Sequence, residues 1–312
     1  MEELKEILQY FPNHIKEKIL KNISQPITEF IEEIRIRLKR PITLKIGQEL
    51  MILESIINKE EIDEIFERIC ENSIYSYKKE ICEGFITIKG GHRVGITGTA
   101  VIEEKLKNIN YISSLNFRIA REKKDSSKEI IKNIINSKEN TICNTLIISP
   151  PGCGKTTMLR DIVRNISNGI KELEFSPKVI GLVDERGEIA ATYKGVPQND
   201  VGILTDVMSN FPKSIGIKML IRSMSPQIIV CDEIGGKEDV EAIKIATCSG
   251  VKGIFTAHGK NLEEIIKNPE ISTLLKENII EKVIQLSTKE KGKVEKIYDF
   301  RNWSTISKRS SI

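Results

Sequence analysis

Ser149-Pro150-Pro151-Gly152-Cys153-Gly154-Lys155-Thr156-Thr157 is the stretch from which the rest of the chain can be read. It follows the apolar run Thr145-Leu146-Ile147-Ile148, a buried strand by its pattern. It precedes Met158-Leu159-Arg160-Asp161-Ile162-Val163, whose apolar residues have helical spacing. Strand, glycine-bearing loop, Lys-Thr and helix form the context in which a phosphate-binding P-loop works. Loop amides and the helix N-terminus point at the anion. Gly152 and Gly154 let the backbone approach it with no Cβ in the way. Lys155 adds a charge that reaches the β- and γ-phosphates, and Thr156 supplies a hydroxyl to Mg²⁺. Pro151, Gly152, Cys153, Gly154, Lys155, Thr156 and Thr157 are therefore the expected ATP-binding residues. The usual pattern opens with Gly where this chain has Ser149, and the two prolines stiffen that turn instead.

A P-loop strand implies partner strands, and their tips are where a ligand binds in a parallel sheet. Apolar runs at Leu146–Ser149, Val179–Asp184, Ile228–Asp232 and Gly253–Thr256 alternate with helical stretches, which predicts a mostly parallel sheet with helices on both faces. Ile228-Ile229-Val230-Cys231-Asp232-Glu233 lies about seventy-five residues beyond the P-loop and reads as Walker B. Asp232 is expected in the Mg²⁺ shell, and Glu233 is expected to orient or deprotonate the attacking water. Val183-Asp184-Glu185-Arg186-Gly187-Glu188 ends a second apolar run about thirty residues past Lys155. In a RecA-like sheet its tip faces the γ-phosphate, so Asp184 or Glu185 is a second candidate for positioning water. Gly253-Ile254-Phe255-Thr256-Ala257-His258 brings a histidine to a third tip, where it can sense the γ-phosphate by hydrogen bonding.

Ahead of this region the pattern is different. Residues 1–25 are expected to be helical, with Pro12 and Pro26 as punctuation. Glu33-Ile34-Arg35-Ile36-Arg37-Leu38 alternates as a half-buried strand, and Ile42–Gly47 is its expected partner. Ile56 to Ile69 has a helical period. Gly84–Lys89 and Arg93–Thr97 flank Gly90-Gly91 as a hairpin, and Asn116–Arg121 is the last expected strand. The expected organisation is an α+β domain over 1–122, a polar linker over 123–128 and a RecA-like P-loop domain over 129–312. The fold class is thus α/β with a mostly parallel sheet, preceded by a smaller α+β domain. The tail, Lys289 to Ile312, is basic and carries the single tryptophan, Trp303.

Composition narrows the class. The 312 residues are 39% hydrophobic and 29% charged, and 48 basic against 44 acidic residues leave a net charge of +4. That balance fits a soluble globular chain and does not demand nucleic acid. The six cysteines form no Cys-x-x-Cys pair, which fits free thiols in a reducing compartment. No apolar run approaches the roughly 18 residues of a membrane span, and Met1-Glu2-Glu3-Leu4-Lys5 is unlike a signal peptide. Membrane association is expected to be peripheral or through a partner.

An ATPase working between subunits needs a cation aimed at its neighbour's phosphate. Arg93, Arg118, Arg121 and Arg222 are the candidates.

In this order, the small α+β domain, arginine-bearing strand, P-loop, acidic box, Asp-Glu pair and Thr-x-His box resemble the type II/type IV secretion and pilus ATPases. The closer likeness is to the stage III sporulation AA family of spore-forming bacteria. It rests on Glu33-Ile34-Arg35-Ile36-Arg37, Gly90-Gly91-His92-Arg93-Val94-Gly95, Thr156–Asp161, Val183–Ala190 and Cys231-Asp232-Glu233-Ile234-Gly235, and it covers nearly the whole chain. The resemblance implies a hexameric ATP-hydrolysing motor at the cytoplasmic face of a membrane channel, here the one joining mother cell and forespore. It matches Asp184 or Glu185 to the acidic box, Glu233 to the Walker B glutamate and His258 to the histidine box. The acidic box here is Asp-Glu-Arg, where the secretion enzymes usually have Glu-Asp-Pro. The tetracysteine insertion of many type II enzymes is missing, so no zinc is expected. Two other classes compete with this reading. One is a RecA-like ATPase stimulated by single-stranded nucleic acid; the absence of a basic aromatic platform argues against it. The other is a non-hydrolysing nucleotide-gated scaffold, which the intact Asp232-Glu233 pair argues against.

Overall fold

The computed structural model describes residues 2–23, 25–103 and 105–301; Trp303 and the end of the basic tail lie outside the described residues. By internal contact the chain forms two units, Met1–Arg121 with Ala191–Gln198, and Glu122–Ala190 with Asn199–Ile312.

The first unit is a six-stranded sheet with helices on one face. Its elements are α1 (Glu2–Leu8), α2 (Asn13–Lys21), β1 (Ile31–Arg37), β2 (Pro41–Ile46), β3 (Glu49–Ile56), α3 (Lys59–Ile69), α4 (Lys78–Glu83), β4 (Phe85–Thr87), β5 (Arg93–Glu103) and β6 (Lys105–Arg118). The strand order is β3-β2-β1-β6-β5-β4, and every pairing is antiparallel. Ile34, Ile36, Val94, Ile96, Leu115 and Phe117 point inward at alternate positions and pack with Ile15, Ile62 and Phe66 from the helices. The expected first helix is two, because Pro12 caps the second and lacks the N–H that would continue the first. Helix α3 starts only at Lys59, after Asn58 closes a capping box with Glu61. Strand β3 is unexpected from its pattern, because the apolar residues Leu50, Ile52 and Ile56 occupy outward positions and hide the alternation. Strand β6 ends at Arg118, not Arg121. Arg121 instead donates to the carbonyls of Ile31, the first residue of β1, at 2.6 Å and of Thr28, just before it, at 3.4 Å.

The second unit begins with α5 (Ile131–Ile134) and a small ribbon of β7 (Ile135–Asn136) and β8 (Thr141–Ile142). It continues through β9 (Thr145–Ser149), α6 (Lys155–Asn168), β10 (Ile180–Asp184), β11 (Thr205–Ser209), α7 (Lys213–Ser223) and β12 (Ile228–Cys231). The last elements are α8 (Lys237–Cys248), β13 (Lys252–His258), α9 (Leu262–Lys267), α10 (Pro269–Lys276), β14 (Lys282–Leu286) and β15 (Val294–Asp299). The seven strands run in the order β11-β10-β12-β13-β9-β14-β15, parallel up to the antiparallel edge strand β15. This is the expected α/β architecture: an antiparallel-sheet domain followed by a mostly parallel sheet. The parallel sheet is buried on both faces. Ile147, Leu182, Val230 and Ile254 pack with Leu159 and Ile162 of α6, while Ile148, Val183, Ile229 and Phe255 pack with Ile217, Leu220 and Ile243 of α7 and α8. Strands β11, β14 and β15 were not foreseen. Two of them are sheet edges with little apolar alternation, and the apolar run of β14 is interrupted by Lys282 and Gln285.

One buried ionic cluster ties the expected linker to the P-loop helix. Asp161, 2% exposed, accepts from the Ser127 hydroxyl at 2.6 Å, the Ser127 amide at 2.8 Å and Arg164 at 2.6 Å. Burial alone would raise its pKa. The Ser127 hydroxyl, Arg164 and the Ser127 amide more than offset that and hold it below the usual carboxylate value. Removing one partner of a buried ion pair costs about 3 kcal/mol or more, so Asp161→Ala is expected to lower the melting temperature by several degrees. The folded pKa lies below the unfolded one. The stabilisation is therefore present above the ordinary carboxylate value and is lost as pH falls through the folded value. Melting curves taken at decreasing pH should show a shallower acid limb for the variant than for the wild type; parallel limbs would contradict the assignment.

Candidate active site

All strands from β11 to β14 share one direction, so the ends of β9, β10, β12 and β13 lie at the same edge of the sheet, and Ser149 is paired with His258 there. The P-loop leaves β9 at Pro150. Gly152 and Gly154 have φ of 79° and 97°, the left-handed region where a side chain is strained. Gly154 is also the N-cap of α6 and offers no side chain to the first-turn amides. The donors of that turn therefore remain the natural partners of an anion.

Lys155 is 5% exposed and folds back over the loop. Its Nζ donates to the carbonyls of Ser149 at 2.7 Å and Pro150 at 3.1 Å, and to the Ser149 hydroxyl at 3.3 Å. It also lies 3.3 Å from His258 Nδ1. Burial holds its ammonium below the usual lysine value. Thr156 donates from Oγ1 to Asp232 Oδ2 at 2.9 Å, which brings the expected hydroxyl and carboxylate of the Mg²⁺ shell together. The other oxygen, Asp232 Oδ1, accepts from the Glu233 amide at 3.0 Å and from the Thr256 hydroxyl.

Glu233 has φ of 52°, a strained conformation for a non-glycine residue. Its amide is pinned by Asp232 and by Thr256 Oγ1 at 2.8 Å. The strain turns its carboxylate to the edge of the sheet, where Oε1 lies 2.7 Å from His258 Nε2 and Oε2 2.5 Å from Arg186 Nη1. An ammonium can only donate, so His258 Nδ1 is the acceptor from Lys155, and Nε2 carries the proton that faces Glu233. Lys155, His258, Glu233 and Arg186 thus form one continuous chain of contacts.

The two acids of the acidic box separate. Asp184 is 2% exposed, and its carboxylate accepts from the amides of Glu188 at 2.9 Å, Ile189 at 3.2 Å and Ala190 at 2.8 Å. A carboxylate that accepts from three successive loop amides fixes the course of that loop. Glu185 points outward and pairs with Lys213 at the start of α7. A small cleft is lined by Asp184, Glu185, Arg186, Glu188, Lys213, Asp232 and Glu233. Arg160, on the P-loop helix, donates to the carbonyls of Ile189 at 2.6 Å and Glu188 at 2.7 Å, so the same loop is tied to α6.

Arg222 does not reach this cluster within its own chain. Lys213 opens α7 at the site edge; Arg222 is in the last turn, where the helix returns to the start of β12. At about 1.5 Å per residue this places it roughly a sheet's width away. In the first unit Arg93 and Arg118 are directly opposed on β5 and β6, with Glu33 opposite Arg118 on β1, so the three share one face. The Arg93 guanidinium lies 4.6 Å from the Phe85 ring centre. Arg186, Thr256, Lys213 and Arg160 were not foreseen as site residues. Arg186 sits inside the quoted acidic block, but no spacing rule shows that it meets Glu233. All six cysteines are free; Cys231 faces the core, where burial pushes its thiol up, and Cys153 lies in the P-loop.

Residues 1–304 match the family described as sporulation stage III, protein AA. The chain is 38% identical over 298 residues to stage III sporulation protein AA of Bacillus subtilis (strain 168), covering 95% of both. Among solved structures it resembles the Legionella pneumophila ATPase DotB, with a TM-score of 0.61 at 15% identity over 97% of this chain and 85% of that one. The pilus retraction motor PilT with bound ADP gives a TM-score of 0.57 at 12% identity, over 86% and 76% of the two chains. This chain therefore belongs to the sporulation stage III protein AA family and has the fold of the secretion and pilus ATPases.

Proposed function

We propose that this chain binds ATP with Mg²⁺ at the strand-tip cluster, hydrolyses it, and works as a homo-oligomeric ring, a hexamer, on a membrane-embedded channel during sporulation. The observation that carries the hydrolytic part is Glu233, turned by a strained backbone between His258 and Arg186, next to a paired Thr156 and Asp232. Hydroxyl and carboxylate oxygens suit Mg²⁺, which takes one or two carboxylates plus phosphate oxygens. Bound there, the ion would neutralise charge on the phosphates.

In this reading Lys155 exchanges its loop carbonyls for phosphate oxygens. Thr156 and Asp232 hold the metal, and Pro151 to Thr157 supply the cradle. Glu233 accepts the proton of the attacking water while His258 and Arg186 fix its direction. His258, touching both Lys155 and Glu233, is placed to report whether a γ-phosphate is present. Asp184 is a positioning residue, and Glu185 is the acidic-box group left to orient water. No zinc enters the scheme.

The sporulation role rests on the family, and the motor role on the fold shared with DotB and PilT. No helix among the described residues is long and apolar enough to cross a membrane. By the resemblance to the family, the location proposed is cytoplasmic, on the mother-cell side, with an integral membrane protein as partner and no nucleic-acid substrate.

The ring requires an arginine acting in trans. Arg93 and Arg118 share a face and are the first candidates; Arg121, used on the carbonyls of Thr28 and Ile31, ranks below them. A finger stabilises charge that grows in the transition state, so its loss lowers turnover far more than affinity. Arg93→Ala mixed with Lys155→Ala is expected to recover part of the ATPase activity that each lacks alone, provided labelled subunits exchange. Exchange without recovery, for Arg93 and then Arg118, would remove the trans-arginine element.

A further inference from the structure

The turn between β14 and β15 closes over the P-loop. Its sequence, Ser287-Thr288-Lys289-Glu290-Lys291-Gly292-Lys293, carries three lysines in seven residues. Ser287 braces it: the Ser287 amide donates to the Lys293 carbonyl at 2.8 Å, and its hydroxyl accepts from the Lys289 amide at 3.2 Å and the Glu290 amide at 3.3 Å. Gly292, at φ 78°, donates its amide to the Cys153 carbonyl at 2.9 Å. The contact is close on the neighbouring residue too. A Cβ on Gly154 would lie 3.4 Å from the Gly292 nitrogen and 3.7 Å from Lys291 Cγ. The apex of the P-loop thus has a fixed backbone partner, with the Lys291 stem beside its last glycine.

Lys293 pairs with Glu129 at 3.5 Å, whereas Lys289 and Lys291 are exposed and have no ion-pair partner among the described residues. Of these two, it is Lys291 whose stem lies beside Gly154. Nothing in the fold requires an unpaired ammonium there, and its flexible stem can swing over the amides that would hold a phosphate chain.

From this geometry we propose that Lys291 is a second lysine for the bound nucleotide, a phosphate-binding residue held at the P-loop by the Gly292–Cys153 hydrogen bond. The inference rests on the ATP-binding reading above. It differs from the role of Lys155 in kind: Lys155 is buried and preformed, whereas Lys291 closes from outside over a ligand already seated. Loss of Lys291 should therefore weaken affinity without dismantling the site.

Titration of ATP with Mg²⁺ into the full chain tests this, with Lys291→Ala, Lys291→Arg and Lys291→Glu beside Lys155→Ala. A charge-assisted contact of this kind corresponds to roughly a tenfold change in Kd or somewhat more. The expected order of affinity is wild type, then Lys291→Arg, then Lys291→Ala, then Lys291→Glu, with KM rising, kcat nearly unchanged and melting temperatures equal. A turn that is merely structural would instead shift the melting temperature and would not be rescued by arginine. If the wild type binds ATP and Lys291→Ala and Lys291→Glu bind it equally well, Lys291 does not touch the nucleotide and the proposal fails alone. If the wild type binds no ATP, the reading of the whole site fails with it.

Discussion

Lys155→Ala is expected to lower ATP affinity by roughly 100-fold or more, since two or more charge-assisted contacts are lost together. The same change should leave the melting temperature equal or slightly higher. Both effects follow from the site. Lys155 is 5% exposed, sits at the first turn of α6 and holds its ammonium among the carbonyls of Ser149 and Pro150. Burial holds its folded pKa below the unfolded one. The sign is then unfavourable: at neutral pH the charged lysine is easier to keep in the unfolded chain, and folding bears the difference. Alanine removes that cost together with the ligand contact. Calorimetric titration and melting of the same sample check the two halves. Unchanged affinity would contradict the P-loop assignment, and a large fall in melting temperature would mean that the lysine holds the loop together.

Glu233→Gln should keep ATP affinity within a few-fold and slow turnover by roughly 10²–10⁴-fold, the usual worth of a positioned general base. Glutamine preserves the shape and can still accept from His258 Nε2, but it cannot take a proton. The backbone that aims the side chain is held by Asp232 and Thr256 through the amide, so the substitution leaves that geometry in place. Arg186 loses the Glu233 carboxylate, and at 64% exposed its guanidinium is also open to water. If Glu233→Gln hydrolyses ATP at the wild-type rate while Glu185→Gln does not, the base belongs to the acidic box.

The site was legible where chemistry concentrates at strand tips. Lys155, Thr156, Asp232, Glu233 and His258 each follow an apolar run, and a parallel sheet brings such ends together. That β9 and β13 are neighbours, with Ser149 opposite His258, is a matter of strand order, which the strand-tip rule does not give. Alternation does not separate Asp184 from Glu185, because β10 is buried on both faces; the amides of Glu188 to Ala190 that hold Asp184 belong to a loop with no periodic pattern. Arg186 was beyond reach as the partner of Glu233, because an ion pair between two loops leaves no periodic trace. The excursion Ala191–Gln198 was equally silent. It belongs with the first unit through Tyr193 and Lys194 on Glu71 and through Gln198 on the Gly90 amide, contacts more than a hundred residues apart in sequence.

Release of inorganic phosphate from ATP by the purified full chain, with Mg²⁺ and then with chelator, tests the central claim most directly when run beside Glu233→Gln at matched ATP occupancy. Sustained Mg²⁺-dependent turnover in the wild type, with the variant occupied but nearly silent, is the predicted result. A wild type that binds ATP and releases no more phosphate than Glu233→Gln would contradict the account.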